Sequence, residues 1–212
     1  MFNLPRSTEV DKIIPKNAFD AFTNTKQKKA IAEKLLRIKW IHKLSSDTTN
    51  LKGRELEEIQ VFDIELKEKT DIKDLLVLIN KAIPYPIIFI VRFEELLYLS
   101  TSPKHINPNK ENSTVIDYTF NSGWINKNEF NFTIELKNSL DWVYNKFCEQ
   151  FSVTKVETSN LTDLVKVQKS NDALRKEIEK LKSAIPQCKQ FNKKVELNMR
   201  LKALQAIIMN SN

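Results

Sequence analysis

The sequence predicts an α/β (α+β) fold: a mixed central β-sheet with flanking helices, followed by a C-terminal helical coiled-coil hairpin or kinked rod. Three observations carry that reading. Residues 61–67 alternate like a strand with one wet face, a helical repeat follows over 70–83, and "IIFIVRF" (87–93) is apolar at nearly every position, like a strand covered on both faces. Strand, helix and strand joined by short loops make a βαβ unit with parallel strands. Beyond about residue 161 the apolar period changes to a heptad, so the chain divides into an α/β domain (1–153), a polar linker (154–160) and a helical segment (161–212).

Composition removes several function classes. With 212 residues and 41% hydrophobic side chains the chain can bury a proper core and still carry an appendage. Cys148 and Cys188 have no CxxC spacing and no neighbouring histidine pair, which argues against a zinc site or a disulfide framework and fits a reducing compartment. "IPYPIIFIV" (83–91) falls short of the roughly 20 apolar residues of a bilayer span, and the N-terminus lacks a secretory pattern, so a cytoplasmic location is expected. Gly53 and Gly123 are the only glycines, too few for a P-loop or a Rossmann fingerprint. The net charge of +7 is uneven: residues 26–43 hold seven Lys/Arg against Glu33, and residues 161–212 hold eleven Lys/Arg against five Asp/Glu, +6 in each case.

Taken in order, an extended tail with Pro5 and Pro15 leads to a helix over "TNTKQKKAIAEKLLRIKW". Thr23, Asn24 or Thr25 can cap it, and Ile31, Leu35 and Ile38 form its apolar stripe. "KWIHKLS" reads as a short strand with Trp40 and His42 on one face and Ile41 on the other. "SDTTNLKGREL" is a polar connection into the strand at 58–67, where Val61, Asp63, Glu65 and Lys67 line one face and Phe62, Ile64 and Leu66 the other. Thr70 can cap the next helix, whose inward face is Ile72, Leu75, Leu76, Ile79 and Ile83, and Pro84 and Pro86 stop it. "ELLYLSTS" returns antiparallel, "PKHINPNKENS" is a loop, and "TVIDYTF", "GWINK" and "NFTIELK" read as short strands of a meander. "SLDWVYNKFCEQF" closes the domain as a helix with Leu140, Val143, Phe147 and Phe151 on one face.

In the tail, Leu164, Val167, Asn171, Leu174, Ile178, Leu181 and Ile185 are spaced by three and four residues as a heptad seam, with Asn171 at a position that can fix register. Pro186 interrupts the run, and a second segment, roughly 188–209, offers Phe191, Val195, Leu197, Leu201, Leu204 and Ile208. A narrow seam makes no core alone, so the tail is expected to grip itself, a second copy or another protein.

Two constellations bear on chemistry. Asp63, Glu65 and Lys67 form D-x-E-x-K, and Glu-x-Lys on a strand followed by helix and strand is the order in which restriction-type nucleases hold Mg²⁺ and support the attacking water. An upstream Asp on a separate strand is missing, since Asp47 falls in a loop, and the same trio fits the wet side of a half-buried strand. His42, between lysines, reads as a surface residue, and His105 sits in a loop. Lys26, Lys28 and Lys29 in the first helix, and Lys189, Lys193, Lys194, Arg200 and Lys202 in the tail, are candidate phosphate contacts without sequence readout.

"FNLPRSTEVDKIIPKNAF", "HKLSSDTTNL", "EEIQVFDIELKEK", "INKAIPYPIIFIV" and "CKQFNKKVELNMRLKALQ" together resemble a bacterial family, the domain of unknown function four-three-nine-one, over almost the whole chain. The resemblance implies a small protein encoded beside helicases and DNA methyltransferases in restriction-type defence loci, and it supplies no catalytic residues. The function expected is therefore a non-enzymatic accessory subunit that docks through its C-terminal helices onto a helicase or methyltransferase, without a cofactor. The alternative is a Mg²⁺-dependent nuclease using Asp63, Glu65 and Lys67.

Overall fold

The computed structural model describes residues 2–107, 114–152 and 160–210, so most of the expected linker lies outside the described residues. The chain forms two compact units, Met1–Phe151 and Ser152–Asn212.

The first unit runs β1 (Glu9–Ile13), α1 (Thr25–Lys34), β2 (Leu35–Ser45), the short helix α2 (Ser46–Thr49), β3 (Glu58–Leu66), α3 (Lys73–Ala82), β4 (Ile87–Phe93), β5 (Leu96–Thr101), β6 (Lys104–Ile106), β7 (Thr114–Ile116), β8 (Phe120–Asn126) and α4 (Leu140–Glu149). A six-stranded mixed sheet has the order β1-β2-β3-β4-β5-β8. β3 and β4 are parallel, as the strand-helix-strand pattern predicts, and the other neighbours are antiparallel. β6 and β7 pair separately.

The sheet is covered on both sides. Phe62, Ile64 and Leu66 of β3 join Phe89 and Val91 of β4, Ile31 of α1, and Leu75, Leu76 and Ile79 of α3 in one buried cluster. Each such side chain contributes about 1.5–3 kcal/mol by leaving water. On the opposite face the register aligns Val61, Ile88 and Thr101, and α4 covers them with Leu140, Val143, Tyr144 and Phe147. Thr101 donates its hydroxyl to the Ile87 carbonyl at 2.8 Å, so the Tyr144 hydroxyl, 2.8 Å away, donates to Thr101.

Local expectations fail where burial and period part company. The first helix ends at Lys34, and Leu35 and Ile38 belong to β2, where a register shift between Leu35 and Arg37 gives the run a helical look. Asn24 caps α1 in a capping box with Gln27. A second shift, between Trp40 and His42, sets Trp40 opposite Phe62 and His42 opposite Val61, so the two rings point to opposite faces. The supposed tail contains edge strand β1, and the supposed loop contains β6. Thr70 does not cap α3: Asp71 accepts from the Lys73 N–H at 2.9 Å. "NFTIELK" alternates in exposure but joins no sheet. Its Thr133 N–H and C=O are instead both held at 2.8 Å by the Gln150 amide.

The second unit consists of α5 (Leu161–Gln187) and α6 (Phe191–Asn210), which pack together as a helical hairpin. Pro186 sits in the last turn of α5 and the helix stops one residue later. Ile178 and Leu181 are each 7% exposed, Leu164 is buried, and Val167, Asn171, Leu174 and Ile185 are half-buried. Arg200 of α6 pairs with Glu177 of α5.

Candidate functional site

β3 carries the candidate nuclease trio, and its register decides what each member meets. Asp63 and Glu65 share the face that carries α4, and Glu65 lies opposite Arg37 on β2 and Arg92 on β4. Arg92 donates from Nε at 2.9 Å and from Nη2 at 2.7 Å to Asp63 Oδ1. Arg37 Nη2 donates to Glu65 Oε2 at 2.7 Å. Burial raises the Asp63 carboxyl above its ordinary value, with the Arg92 guanidinium acting in the opposite direction. The row continues to Lys39, paired with Asp11.

Lys67 lies just past the end of β3 and is drawn elsewhere. Its ammonium donates to the Ala32 carbonyl at 2.9 Å, in the last turn of α1, where Lys16 also reaches at 3.5 Å. Cations favour helix C-termini because the last carbonyls are unsatisfied and carry partial negative charge. The trio is thus split into two arginine-held carboxylates and a helix-capping lysine. Among the described residues no group of three or more His, Cys, Asp and Glu side chains is placed to hold a metal ion.

The histidines are occupied. Thr8 donates its hydroxyl to Pro5 O at 2.7 Å, so His42 Nδ1, 3.0 Å from Thr8 Oγ1, is the donor in that contact and ties β2 to the turn before β1. Burial lowers its pKa. His105 pairs with Asp117 at 2.9 Å across the exposed β6–β7 hairpin. The Cys148 thiol is buried and pushed well up by desolvation, the reverse of an activated nucleophile.

Two anchors were not anticipated from the sequence. The Asp141 carboxylate, in the first turn of α4, accepts from the N–H groups of Arg54, Glu55 and Leu56 at 2.5, 3.0 and 3.1 Å. Lys104 donates to Asn80 O, Asn80 Oδ1 and Ile83 O at 2.6–2.9 Å, closing the C-terminus of α3. An Asp in a first helical turn is a visible signal for the former, whereas its partners are 85 to 87 residues away.

The basic clusters differ in how far they are neutralised. Lys26, Lys28 and Lys29 are exposed on α1, but Lys28 pairs with Asp20 at 3.2 Å and Lys29 with Glu33 at 3.7 Å. On the hairpin, Arg200 is held by Glu177, while Lys189, Lys193, Lys194 and Lys202 are exposed and form no ion pair with a described residue.

α6 also separates its apolar residues into two sets. Leu197, Leu201, Leu204 and Ile208 share one side and are half-buried. Phe191, Val195 and Met199, spaced by four, lie on the other side and are 77%, 42% and 67% exposed. A helix apolar on both sides is expected to be covered on both.

Fold and site together define a two-part protein: an α/β unit whose candidate carboxylates and histidines are held by neighbouring groups, and a basic helical hairpin with an uncovered apolar side. No helix among the described residues is long and apolar enough to cross a membrane. The chain belongs to the family described as Domain of unknown function (DUF4391), which it matches over residues 2–208. No curated protein and no solved structure shows a match.

Proposed function

We propose that this protein is a non-enzymatic interaction subunit of a DNA restriction or anti-phage assembly, whose C-terminal hairpin docks onto a larger helicase or methyltransferase. The observation that carries the docking reading is the second apolar side of α6: Phe191, Val195 and Met199 stand in water although nothing in the hairpin needs them there. The seam residues Ile178 and Leu181 are buried, so the docking role expected of the α5 seam passes to the outer side of α6. The defence setting rests on the family resemblance.

The nuclease alternative is weakened by the occupied trio, because a guanidinium already sits on each carboxylate that would ligate Mg²⁺. Incubation of the purified protein with duplex DNA and Mg²⁺, beside Glu65→Ala, is expected to show no cleavage by either; cleavage lost on substitution would restore that reading. Co-expression with a helicase or methyltransferase of a restriction-type locus that carries this family tests docking, with a 1:1 complex expected from the wild-type chain and none from Phe191→Ser/Met199→Ser.

A further inference from the structure

We infer that the outer side of α6 receives an amphipathic helix of another protein whose flank is acidic. This deepens the docking reading and rests on it. The stripe begins with Phe191, Val195 and Met199 and continues through the exposed Ala203, small enough to let a second helix approach. Lys202 lies seven residues after Val195 and three after Met199, beside the stripe, while Lys194 stands farther round the same flank, beyond Asn198 and toward Leu201. Glu196 marks the opposite edge. The apolar spacing suits helix-in-groove or helix-on-helix recognition, and the edge charges select the partner's flank.

Charge decides between occupants. Residues 161–212 carry eleven Lys/Arg and five Asp/Glu. Three of those acids, Asp163, Glu177 and Glu179, are already paired within the hairpin to Lys166, Arg200 and Lys182. A second copy on this face would bring +6 against +6 at an interaxial distance of about 8–10 Å, close to the screening length at physiological salt. A nucleic acid would engage the lysines yet leave Phe191 and Met199 against phosphate and water, with one aromatic and no second stacking platform beside it. An acidic-flanked helix satisfies both features, covering the stripe and meeting Lys194 and Lys202.

The test uses the full chain and two fluorescein-labelled peptides of about 20 residues, each with Leu and Ile on one helical face, one flanked by Glu and the other by Lys. Fluorescence anisotropy should show the Glu-flanked peptide binding and the Lys-flanked peptide binding at least about tenfold more weakly. Phe191→Ser/Met199→Ser should weaken the first by at least about tenfold, and Lys194→Glu/Lys202→Glu should reverse the preference. Equal binding of the two peptides, binding unaffected by either double variant, or no binding of either peptide overturns the inference. Should light scattering show a dimer abolished by Phe191→Ser/Met199→Ser, the occupant is a second copy and both readings fall. Should the peptides behave as expected while the co-expressed complex ignores Phe191→Ser/Met199→Ser, the acidic-helix inference stands and the named partner is wrong.

Discussion

Arg92 on β4 closes over Asp63 on β3 with two donors on one oxygen, 2.9 and 2.7 Å away, and the Asp63 side chain is only 14% exposed. That contact turns the sequence's best catalytic carboxylate into half of an ion pair. Removing the arginine leaves a largely buried charge, and Arg92→Ala is expected to cost about 2 kcal/mol in urea unfolding, below the fully buried range because Arg92 is about one-third exposed. Replacing both residues with Leu should recover most of the loss. The Asp63 carboxyl titrates above its ordinary value, so the folded state holds the proton more tightly than the unfolded chain. Its contribution to stability is therefore complete below the ordinary carboxylate pKa and declines as pH rises through the folded-state value, more steeply in Arg92→Ala. Equal slopes in the two proteins would contradict this assignment.

Lys104 gives the opposite signature. Burial pushes its ammonium down to about 7 from 10.5, so between those values the unfolded chain binds the proton more strongly. Stability from this group is expected to rise by about 1–3 kcal/mol as pH goes from 7 to 10. Urea unfolding of wild type and Lys104→Met across that range checks it; the difference between them should grow with pH, and a constant difference would contradict it.

The Asp141 carboxylate pins the loop at residues 54–56 to the start of α4. Asp141→Ala strands three N–H donors and is expected to lose about 1–2 kcal/mol, with Asp141→Asn losing less. Gly53 belongs to the same turn: a Cβ there would stand 1.9 Å from Leu56 O, with Asp141 Oδ2 at 3.2 Å. Gly53→Ala should therefore destabilise through backbone displacement, raising protease nicking in the loop.

Within the hairpin, substitutions on the two sides of α6 should separate. Ile178→Ala opens a buried site and is expected to cost about 2 kcal/mol and part of the helical circular dichroism signal. Phe191→Ser/Met199→Ser alters exposed side chains and should leave stability within about 0.5 kcal/mol per substitution.

The sequence's legibility follows from where the information resides. α3 and α4 declare themselves because their burial follows a helical period, and β4 because its unbroken apolar run is covered on both faces. The second half of β2 is read as a strand, but its first half is not, because the register shift between Leu35 and Arg37 breaks the alternation and Ile31, Leu35 and Ile38 mimic a helical stripe. β1 is a polar edge strand with little burial to pattern. Residues 131–137 show that alternation reports a packed face and not a sheet partner: Phe132 packs on Phe147 and Phe151 while a glutamine side chain holds the backbone. Asp63, Glu65 and Lys67 were visible as a motif, but the groups that occupy them come from β4, β2 and α1, so only the tertiary structure reveals their roles. The sequence offers Phe191 and Val195 in one apolar set with Leu197, Leu201, Leu204 and Ile208, whereas α6 leaves the first two exposed with Met199, because a helix periodic on both sides does not say which side its neighbour covers.

The most direct test of the central claim is the affinity of the proposed helicase or methyltransferase partner for this chain, measured by titration calorimetry with wild type and with Phe191→Ser/Met199→Ser, each first shown by circular dichroism to keep its hairpin. A loss of at least about tenfold in the variant is the predicted result. Equal affinity with an intact hairpin would contradict it.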